Sequence, residues 1–372
     1  MSLRTAPPFR ADHVGSLLRP QALLDARQQH RDDAIDHEGL RAAEDDAIRD
    51  AVRMQEDLGL QTATDGEFRR TSWHMDFIYS LQGISRTTDS IKVHFRNAAG
   101  DLDFTSAALK VDGKVGIDGP IFGDAFRFLQ STVTSGTPKL TIPSPSMVHY
   151  RGGAAALDPA VYPDEDQFWA DLSAAYADQV REIAALGCTY LQLDDTSLAY
   201  LNDPAQRAEI AAQGRDAEHQ HERYIRQINA ALVGRPEGLT VTTHMCRGNF
   251  RSSWAAEGGY DFVAEALFGQ LDVDGFFLEY DDARSGTFAP LRYVPEGKLV
   301  VLGLVTTKSP QLESKDDLKR RIDEAARYVP LERLCLSPQC GFSSTVEGNN
   351  LTRDEQIAKL SLIVETAAEV WG

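Results

Sequence analysis

Short apolar runs and amphipathic stretches alternate along the chain. The apolar runs are mostly continuous and are bounded by turn residues, which is typical of strands buried on both faces of a parallel sheet. Between most of these runs, apolar residues recur with a period of 3.6, as expected for helices that cover a sheet. The pattern predicts eight strands, at residues 11–17, 62–67, 139–145, 189–195, 239–246, 275–280, 298–306 and 334–340.

The helical stretches have recognisable ends. Asp164 is a good N-cap for the helix near 164–186, and Leu186-Gly187 ends it. Eight strands joined by helical crossovers predict an α/β fold, a (β/α)8 TIM barrel, as a single catalytic domain over residues 1–372. The predicted helices cover residues 38–58, 164–186, 204–232, 255–267, 315–328 and 353–370.

One segment, about residues 84–137, departs from this alternation. Its alternating apolar residues are interrupted at Asp112-Gly113, and an Asp-Gly pair between alternating runs is a common hairpin signal. We therefore predict an insertion after the second strand that contains a β-hairpin. It is expected either to cap the barrel mouth or to form a subunit contact in a homo-oligomer.

Composition narrows the class of partner. The chain is 42% hydrophobic and 25% charged, with a net charge of -18 and no prominent cluster of Lys and Arg. These values predict a globular protein that binds neither nucleic acid nor an anionic membrane. No apolar run is long enough to cross a bilayer, and the first residues lack an apolar signal core. A cytoplasmic chain with reduced thiols is expected, in which cysteines bind metals or act in catalysis.

Four residues that can bind a metal each close a predicted strand: His244, Cys246, Glu279 and Cys340. His244 and Cys246 are two residues apart, so their side chains point to the same face of a strand. The strand ends of a barrel converge on one face, where its chemistry takes place. One imidazole, two thiols and one carboxylate make a plausible zinc site. The alternative is a set of core residues in which a buried Glu is paired with an Arg.

Such a site suits chemistry on a thiol. A free thiol is mostly protonated near neutral pH, whereas a zinc-bound thiol loses its proton and stays nucleophilic. Glu279 is a harder ligand than a thiolate, so we expect it to loosen when a substrate sulfur arrives. Cys188 and Cys335 lie near the starts of predicted strands and are expected to be structural.

Glu67 and Asp194 also end predicted strands. Both are anionic, and the ammonium group of an amino acid needs anionic acceptors. The alternative for these carboxylates is helix capping or a salt bridge with Arg69 or Arg70.

These motifs resemble the catalytic, C-terminal barrel of cobalamin-independent methionine synthase, in a single-barrel short form and over most of the chain. The matching stretches are Thr243-His244-Met245-Cys246, Phe277-Leu278-Glu279, Pro338-Gln339-Cys340-Gly341, His13-Val14-Gly15-Ser16, Asp65-Gly66-Glu67-Phe68 and Gln192-Leu193-Asp194-Asp195.

The resemblance implies a role for each of these residues. In that family, zinc activates homocysteine for methylation to methionine. The implied zinc ligands are His244, Cys246, Glu279 and Cys340. The implied contacts to homocysteine are Glu67 and Asp194 with its ammonium group, and Val14, Gly15 and Ser16 with its carboxylate.

The departures from the family pattern concern the methyl donor. The family's full-length enzymes carry an additional N-terminal barrel, and their folate-stacking Trp would fall near Tyr150. Their seventh strand carries Asp-X-His, where this chain has Thr306-Thr307-Lys308. Lys308 is therefore the predicted catalytic residue, supplying positive charge or a proton. A surface lysine is the alternative.

The sequence thus predicts a 5-methyltetrahydropteroyltriglutamate–homocysteine methyltransferase-like enzyme. Zinc-dependent methyl transfer would run from 5-methyltetrahydrofolate, or a related donor, to the thiol of homocysteine. One alternative keeps the zinc but uses a methyl-corrinoid protein or an epoxide. Others are a non-catalytic barrel with a structural metal, and a metal-free decarboxylase, whose polycarboxylate substrates would require an Arg cluster.

Overall fold

The computed structural model describes residues 4–97, 100–150 and 152–372. Its strands are β1 Thr62–Ala63, β2 Gln82–Asn97, β3 Gly100–Gly116, β4 Thr137–Pro138, β5 Leu140–Pro143, β6 Tyr190–Asp195, β7 Thr240–Met245, β8 Gly275–Glu279, β9 Leu299–Val305 and β10 Leu334–Pro338. Its α-helices are α1 Gln21–Arg31, α2 His37–Asp57, α3 Met75–Ile78, α4 Gly123–Thr132, α5 Ser146–Tyr150, α6 Glu165–Ala185, α7 Ser197–Tyr200, α8 Pro204–Ala212, α9 Gln220–Ala231, α10 Ala264–Gln270, α11 Lys315–Ala325 and α12 Arg353–Trp371.

Parallel strands form the wall of a TIM barrel, as the sequence predicts. β5 to β10 lie side by side in chain order in one six-stranded sheet, and β1 pairs with β4. Ala11 bridges to Leu336 on the far side of β10. The gap between this first segment and β1 is spanned by hydrogen bonds from Leu17 N to Gly66 O, at 3.1 Å, and from Thr64 Oγ1 to Gly15 O, at 2.6 Å.

The first predicted strand, 11–17, is wrong as a regular element, because only Ala11 is paired in strand geometry. Asp12 explains part of the difference. Its carboxylate accepts hydrogen bonds from the backbone N–H groups of Phe9 and His13, at 3.0 and 2.8 Å, so a side chain replaces a strand partner. Gly15 then adopts a φ of +143°, outside the strand region.

The helices at 38–58, 164–186, 315–328 and 353–370 are confirmed to within a few residues, but two others are wrong. The predicted helix 204–232 is split into α8 and α9. Gly214, at a φ of +74°, ends the helical path between them. Of the predicted helix 255–267, only the end is helical, within α10.

The predicted hairpin is present, but its turn is not at Asp112-Gly113. β2 and β3 pair antiparallel from Gln82↔Gly116 to Asn97↔Gly100. Asp112-Gly113 instead lies inside β3, at an irregularity where the register shifts between Gln82 and Ile84 of β2. A Cβ on Gly113 would be 3.0 Å from Gly83 Cα, so the glycine permits a close backbone approach here.

The hairpin reaches over the loop that follows β7. Arg96 and Trp254 exchange two backbone hydrogen bonds, of 2.7 and 2.9 Å, and the Asn97 amide donates to Ser253 Oγ at 2.8 Å. Phe95 packs against Phe250 with ring centroids 5.5 Å apart. The insertion therefore covers part of the face at which the barrel strands end.

Inside the barrel, buried apolar side chains fill most of the space. A buried polar cluster around Lys139 lies at the end where the strands begin. Lys139 Nζ donates to His13 O at 2.6 Å and lies 3.4 Å from Asp12 Oδ1. The other oxygen of the Asp12 carboxylate accepts a hydrogen bond from Tyr190 OH. Among the described residues, no helix combines the length and apolar character needed to cross a membrane.

Candidate metal centre

Adjacent strands carry the four predicted ligands to one place. In the register of the sheet, His244 lies between Asp194 of β6 and Phe277 of β8. Cys246 follows β7 and donates its N–H to Asp195 O at 2.8 Å. Glu279 ends β8, and Cys340 comes two residues after β10. All four therefore lie at the carboxyl ends of the strands, where a TIM barrel carries its chemistry.

The four side chains converge. One ligand atom from each of His244, Cys246, Glu279 and Cys340 lies within 4.8 Å of all the others, and all four residues are buried. The two sulfur atoms are 3.4 Å apart. Within the described residues, neither ring nitrogen of His244 nor Glu279 Oε1 has a nitrogen or oxygen hydrogen-bonding partner. Buried polar groups rarely lack partners, so this set fits a metal ion, and its N, O and two S donors suit zinc.

The two thiols of the centre contact each other and have opposite pKa shifts. Their contact holds the pKa of Cys340 well below its usual range and raises that of Cys246, while burial opposes ionisation of both. His244 and Lys308 also favour the Cys340 thiolate. Burial alone lowers the pKa of His244, but the nearby Cys340, Asp194 and Glu279 raise it overall.

Two cations accompany Glu279. Burial raises the pKa of this carboxyl to about 7, against the opposing effect of Lys308. Arg247 is fully buried, and its guanidinium lies 3.9 Å from Glu279 Oε2 while donating to Glu279 O at 3.0 Å. Burial also acts on Lys308, but Glu279, Asp281 and Cys340 raise its pKa overall.

A cavity of about 370 Å³ opens beside the centre. His244, Cys246 and Cys340 form part of its wall. Its volume falls within the range of small-molecule sites. The predicted substrate contacts that also line it are Val14, Ser16, Glu67 and Asp194.

Glu67 and Asp194 bring two buried carboxylates to this wall. Glu67 has a φ of +61°, accepts a hydrogen bond from Thr141 Oγ1 at 2.7 Å, and lies 3.5 Å from Arg70. Asp194 accepts from Gln192 Nε2 at 2.6 Å. Burial raises the pKa of both carboxyls, that of Asp194 to about 7. Asp65 raises the pKa of Glu67 further and Glu67 raises that of Asp194, while Arg70 opposes both shifts. Two carboxylates next to one cavity favour a cationic guest.

Gly15 and Ser16 form the turn next to these carboxylates. A Cβ on Gly15 would be 2.8 Å from Thr141 Cγ2, and one on Gly341 would be 2.0 Å from Ser16 Oγ. The turn thus packs directly against β5 and against the loop that carries Cys340. Glycine at both positions allows this close approach.

The structure does not bring Tyr150 or Lys308 into the wall of this cavity. Tyr150 lines a neighbouring cavity of about 320 Å³, where its hydroxyl donates to Gln206 Oε1 at 3.1 Å. Tyr200 lines both cavities and lies between them. Lys308 is on the Glu279 side of the centre, and its Nζ is buried without a hydrogen-bond acceptor among the described residues.

Sequence reasoning missed most of the outer wall. The cavity is also lined by residues of three loops and of the hairpin, among them Trp73, His74, Tyr79, Arg86, Phe95, Phe250 and Glu347. A signal was present in Thr71-Ser72-Trp73-His74-Met75, a polar and aromatic cluster soon after Glu67. No strand pattern links that cluster to the hairpin, so its neighbours could not be inferred.

Arg19 was also missed, although it joins the loops of the site. Its guanidinium donates to the backbone oxygens of Glu67 and Arg70, at 3.1 and 2.8 Å, and to those of Ser343 and Thr345, at 3.3 and 3.1 Å. The side chain is 8% exposed. One buried group thus fixes the loop of Glu67 relative to the loop that follows Cys340.

Comparison with known proteins agrees with this geometry. The family model described as cobalamin-independent synthase, catalytic domain, matches residues 117–369. The Bacillus subtilis protein YxjG is 46% identical over 370 residues, covering 99% of this chain and 96% of its own length. A crystal structure from Listeria monocytogenes, assigned provisionally to the vitamin-B12 independent methionine synthases, has a TM-score of 0.79 and 38% identity and covers 99% and 100% of the two chains.

A more distant relative is the methionine synthase of Pyrococcus abyssi, which is 24% identical over 329 residues and covers 88% of this chain and 85% of its own. The family model alone covers well over half of the sequence. The Bacillus and Listeria proteins each match 99% of this chain. The chain therefore belongs to the cobalamin-independent methionine synthase family, to which its catalytic domain assigns it.

Proposed function

We propose that this protein is a zinc-dependent methyltransferase that moves a methyl group from 5-methyltetrahydrofolate, or a related donor, to the thiol of homocysteine, forming methionine. The observation that carries the proposal is one cavity lined by two kinds of group. Three of the four candidate metal-binding side chains and two buried carboxylates line it. Homocysteine has a thiol and an ammonium group at opposite ends, so it matches both.

His244, Cys246, Glu279 and Cys340 would hold the zinc. Zinc, when bound, lowers the pKa of a substrate thiol and leaves the thiolate nucleophilic. Cys246 and Cys340 would both bind as thiolates. Binding would therefore release any thiol proton that remains on the pair. Because metal binding releases protons, metal affinity should increase with pH.

Glu67 and Asp194 would accept hydrogen bonds from the homocysteine ammonium. Both carboxylates are buried, and a cation between them would offset the cost of burying their charge, which raises their pKa values. The turn at Val14, Gly15 and Ser16 would hold the carboxylate of the amino acid. Binding at both ends fixes the position of the sulfur before the methyl group arrives.

Lys308 and Arg247 would balance the charge of the ligand set. Two thiolates and a carboxylate exceed the charge of Zn²⁺ by one, and these two cations lie on the Glu279 side. We propose that Lys308 supports the reaction by supplying positive charge at this position. Its catalytic effect would therefore be exerted through Glu279.

The donor would approach from the open side of the cavity, where the hairpin and the loop after β7 meet, with Tyr150 in the adjoining cavity. Its methyl carbon would form a bond to the homocysteine sulfur as its bond to nitrogen breaks, in line. An enclosed cavity of about 370 Å³ suits the end of a small-molecule donor. A methyl-corrinoid protein or an epoxide remains the alternative electrophile.

The test is methionine formation by zinc-loaded protein from homocysteine, with 5-methyltetrahydrofolate in its mono- and triglutamate forms as sole donor. Turnover that disappears on chelation and returns with zinc is the expected result. Thiol-dependent spectral change at a Co²⁺-substituted centre, without turnover of either folate, would keep the thiol chemistry and transfer the test to corrinoid and epoxide donors. A chain that binds no metal would contradict the proposal.

A further inference from the structure

The reaction proposed above leaves one chemical requirement without a residue. When a methyl group leaves a tertiary amine nitrogen, that nitrogen keeps the bonding electron pair and must take up a proton. General acids with a pKa near neutrality do this well. Lys308 lies on the far side of Glu279 and is not in the cavity wall.

His74 is placed where such a proton is needed. Of the described residues that line the main cavity, the histidines are His74 and the ligand His244. His74 precedes α3 and is 6% exposed, so it faces the cavity rather than bulk solvent. It lies on the loop that follows Glu67, and it shares the cavity with Cys246 and Cys340.

The local structure fixes the His74 ring. Nδ1 is 3.1 Å from Ser72 Oγ, and that hydroxyl also accepts a hydrogen bond from Met75 N at 3.3 Å. Ser72 pairs with Thr345 across the cavity rim, and Trp73 N donates to Ser344 O at 3.3 Å. The loop is therefore tied to the segment that follows Cys340. Because Nδ1 is bonded to Ser72, the proton that moves is assigned to Nε2.

Aromatic rings surround His74 on the donor side. The Trp73 ring lies 4.4 Å from the His74 ring at 34°, and Tyr79, Phe95 and Phe250 also line the cavity. Flat faces of this kind accept a planar heterocycle. The charged groups facing this region are Asp76 of α3, Arg86 of β2, Glu347 of the loop after β10, and Glu67 and Asp194 deeper in.

We infer that His74 is the general acid that protonates the leaving nitrogen of the methyl donor, an inference that rests on the proposed function. The homocysteine thiolate forms the S–CH₃ bond, the C–N bond breaks, and its electron pair takes the proton from the His74 imidazolium. Neutral imidazole remains and regains a proton from solvent, which balances the proton that the homocysteine thiol released when it became a thiolate. His74 precedes residue 117, where the match to the family model begins.

The experiment uses the zinc-loaded protein, a His74→Gln variant and two methyl donors. 5-Methyltetrahydrofolate needs a proton on its leaving nitrogen, whereas trimethylsulfonium releases neutral dimethyl sulfide and needs none. With the folate, His74→Gln should lower kcat at least about 100-fold, the usual scale of general acid catalysis. The KM for homocysteine, zinc content and any trimethylsulfonium turnover should stay within about threefold.

The controls separate three outcomes. His37→Gln changes an exposed histidine at the start of α2, which lines neither cavity, and should match wild type. Three results for His74→Gln would overturn the role of His74 while leaving the proposed function intact. They are an equal loss of kcat with both donors, a large rise in the KM for homocysteine, and no loss of kcat with the folate. Wild type that forms methionine only from trimethylsulfonium would also overturn it. Wild type inactive with every donor would overturn the proposed function itself.

A second variant covers the case in which His74→Gln does not fold. His74→Asn should lose folate turnover to the same extent and keep its zinc content. A folded His74→Asn variant with wild-type folate turnover would contradict the inference.

Discussion

Single buried groups decide how this site is held together, and the candidate metal-binding residues show it most directly. The sulfur atoms of Cys246 and Cys340 lie 3.4 Å apart, although β7 and β10, which these residues follow, are separated in the sheet by β8 and β9. Cys188 and Cys335 are also buried, but their pKa values are raised to about 12 by burial, and their sulfurs point to backbone oxygens. The two kinds of cysteine should respond differently to the same substitution.

Cys340→Ser should lower zinc occupancy and reduce methionine formation by at least about 100-fold, the upper end of the loss seen for residues that merely support ligands. Cys188→Ser is the matched control and should keep one zinc per chain. Metal analysis after gel filtration, paired with turnover, measures both. Full zinc and full activity in Cys340→Ser would contradict the ligand assignment.

Arg19→Lys should destabilise the protein by about 2–4 kcal/mol, because a lysine cannot serve the four backbone oxygens that Arg19 reaches and buried acceptors left unpaired cost about 1 kcal/mol or more each. Urea unfolding at pH 7 measures the change. Arg53→Lys, in an exposed ion pair with Asp50, is the control and should shift stability by less than about 0.5 kcal/mol. Equal shifts would show that the Arg19 contacts carry no net stability.

His13 makes stability depend on pH. Burial lowers its pKa to about 4, with Lys139 adding to the effect, so the folded state binds fewer protons than the unfolded state between about pH 6.5 and 4. Stability is therefore lost as pH falls through this window. From pH 6.5 to 5 this one group should cost about 2 kcal/mol. His13→Gln should show a correspondingly smaller drop between pH 7 and 5 in urea unfolding, and an identical drop would exclude His13 as the cause.

At the scale of elements, the β2–β3 hairpin supplies a wall that the barrel strands do not. Arg86 and Phe95 extend into the cavity lining, and Phe95 with Phe250 forms a small apolar cluster apart from the main core. The backbone exchange between Arg96 and Trp254 ties the hairpin to the loop after β7. The hairpin should therefore affect donor binding more than binding of the thiol.

Phe95→Ala should raise the KM of the methyl donor about tenfold, equivalent to roughly 1.4 kcal/mol of lost contact, and leave the homocysteine KM nearly unchanged. It should also speed proteolysis within the hairpin, because its apolar contact with Phe250 is lost. Lys110→Ala, at an exposed hairpin position that pairs with Asp158, is the control. A rise in the homocysteine KM alone would contradict this division of the site.

The sequence predicts β5 to β10 well because each lies within a short, mostly apolar run, and the candidate ligands follow because they lie at strand ends. It predicts poorly wherever a side chain substitutes for backbone pairing or a glycine redirects the path. Asp12 breaks the first strand in this way, Gly214 splits a helix, and Asp112-Gly113 forms an irregularity where a turn was expected. His74 and Arg19 were missed for a related reason, since their roles depend on loops distant in the chain.

At the scale of the whole molecule, the net negative charge of the protein opposes the approach of the proposed folate donor, which is an anion. The net charge of -18 creates a field that repels anions, and the cavity itself carries Glu67, Asp76, Asp194 and Glu347. Donor binding must therefore rely on local contacts such as Arg86. Salt weakens the long-range repulsion, because the Debye length falls from about 30 Å at 0.01 M to about 10 Å at 0.1 M.

Raising ionic strength from 0.01 to 0.15 M should increase kcat/KM for the triglutamate form of the folate several-fold and change that for the monoglutamate form less. Steady-state kinetics with both forms at matched pH and zinc provide the measurement. A decrease for the triglutamate would show that a local cluster of cations, rather than the overall field, governs its approach.

The short distance between the Cys246 and Cys340 sulfurs has a consequence for the life of the protein in the cell. Both thiols line the main cavity, and the contact with Cys246 holds the pKa of Cys340 well below its usual range, which favours its thiolate. A thiolate is the form that oxidants attack, and a second thiol beside it can close a disulfide. Loss of the metal would thus expose the centre to oxidative inactivation, and metal supply would protect the enzyme from oxidants as well as activate it.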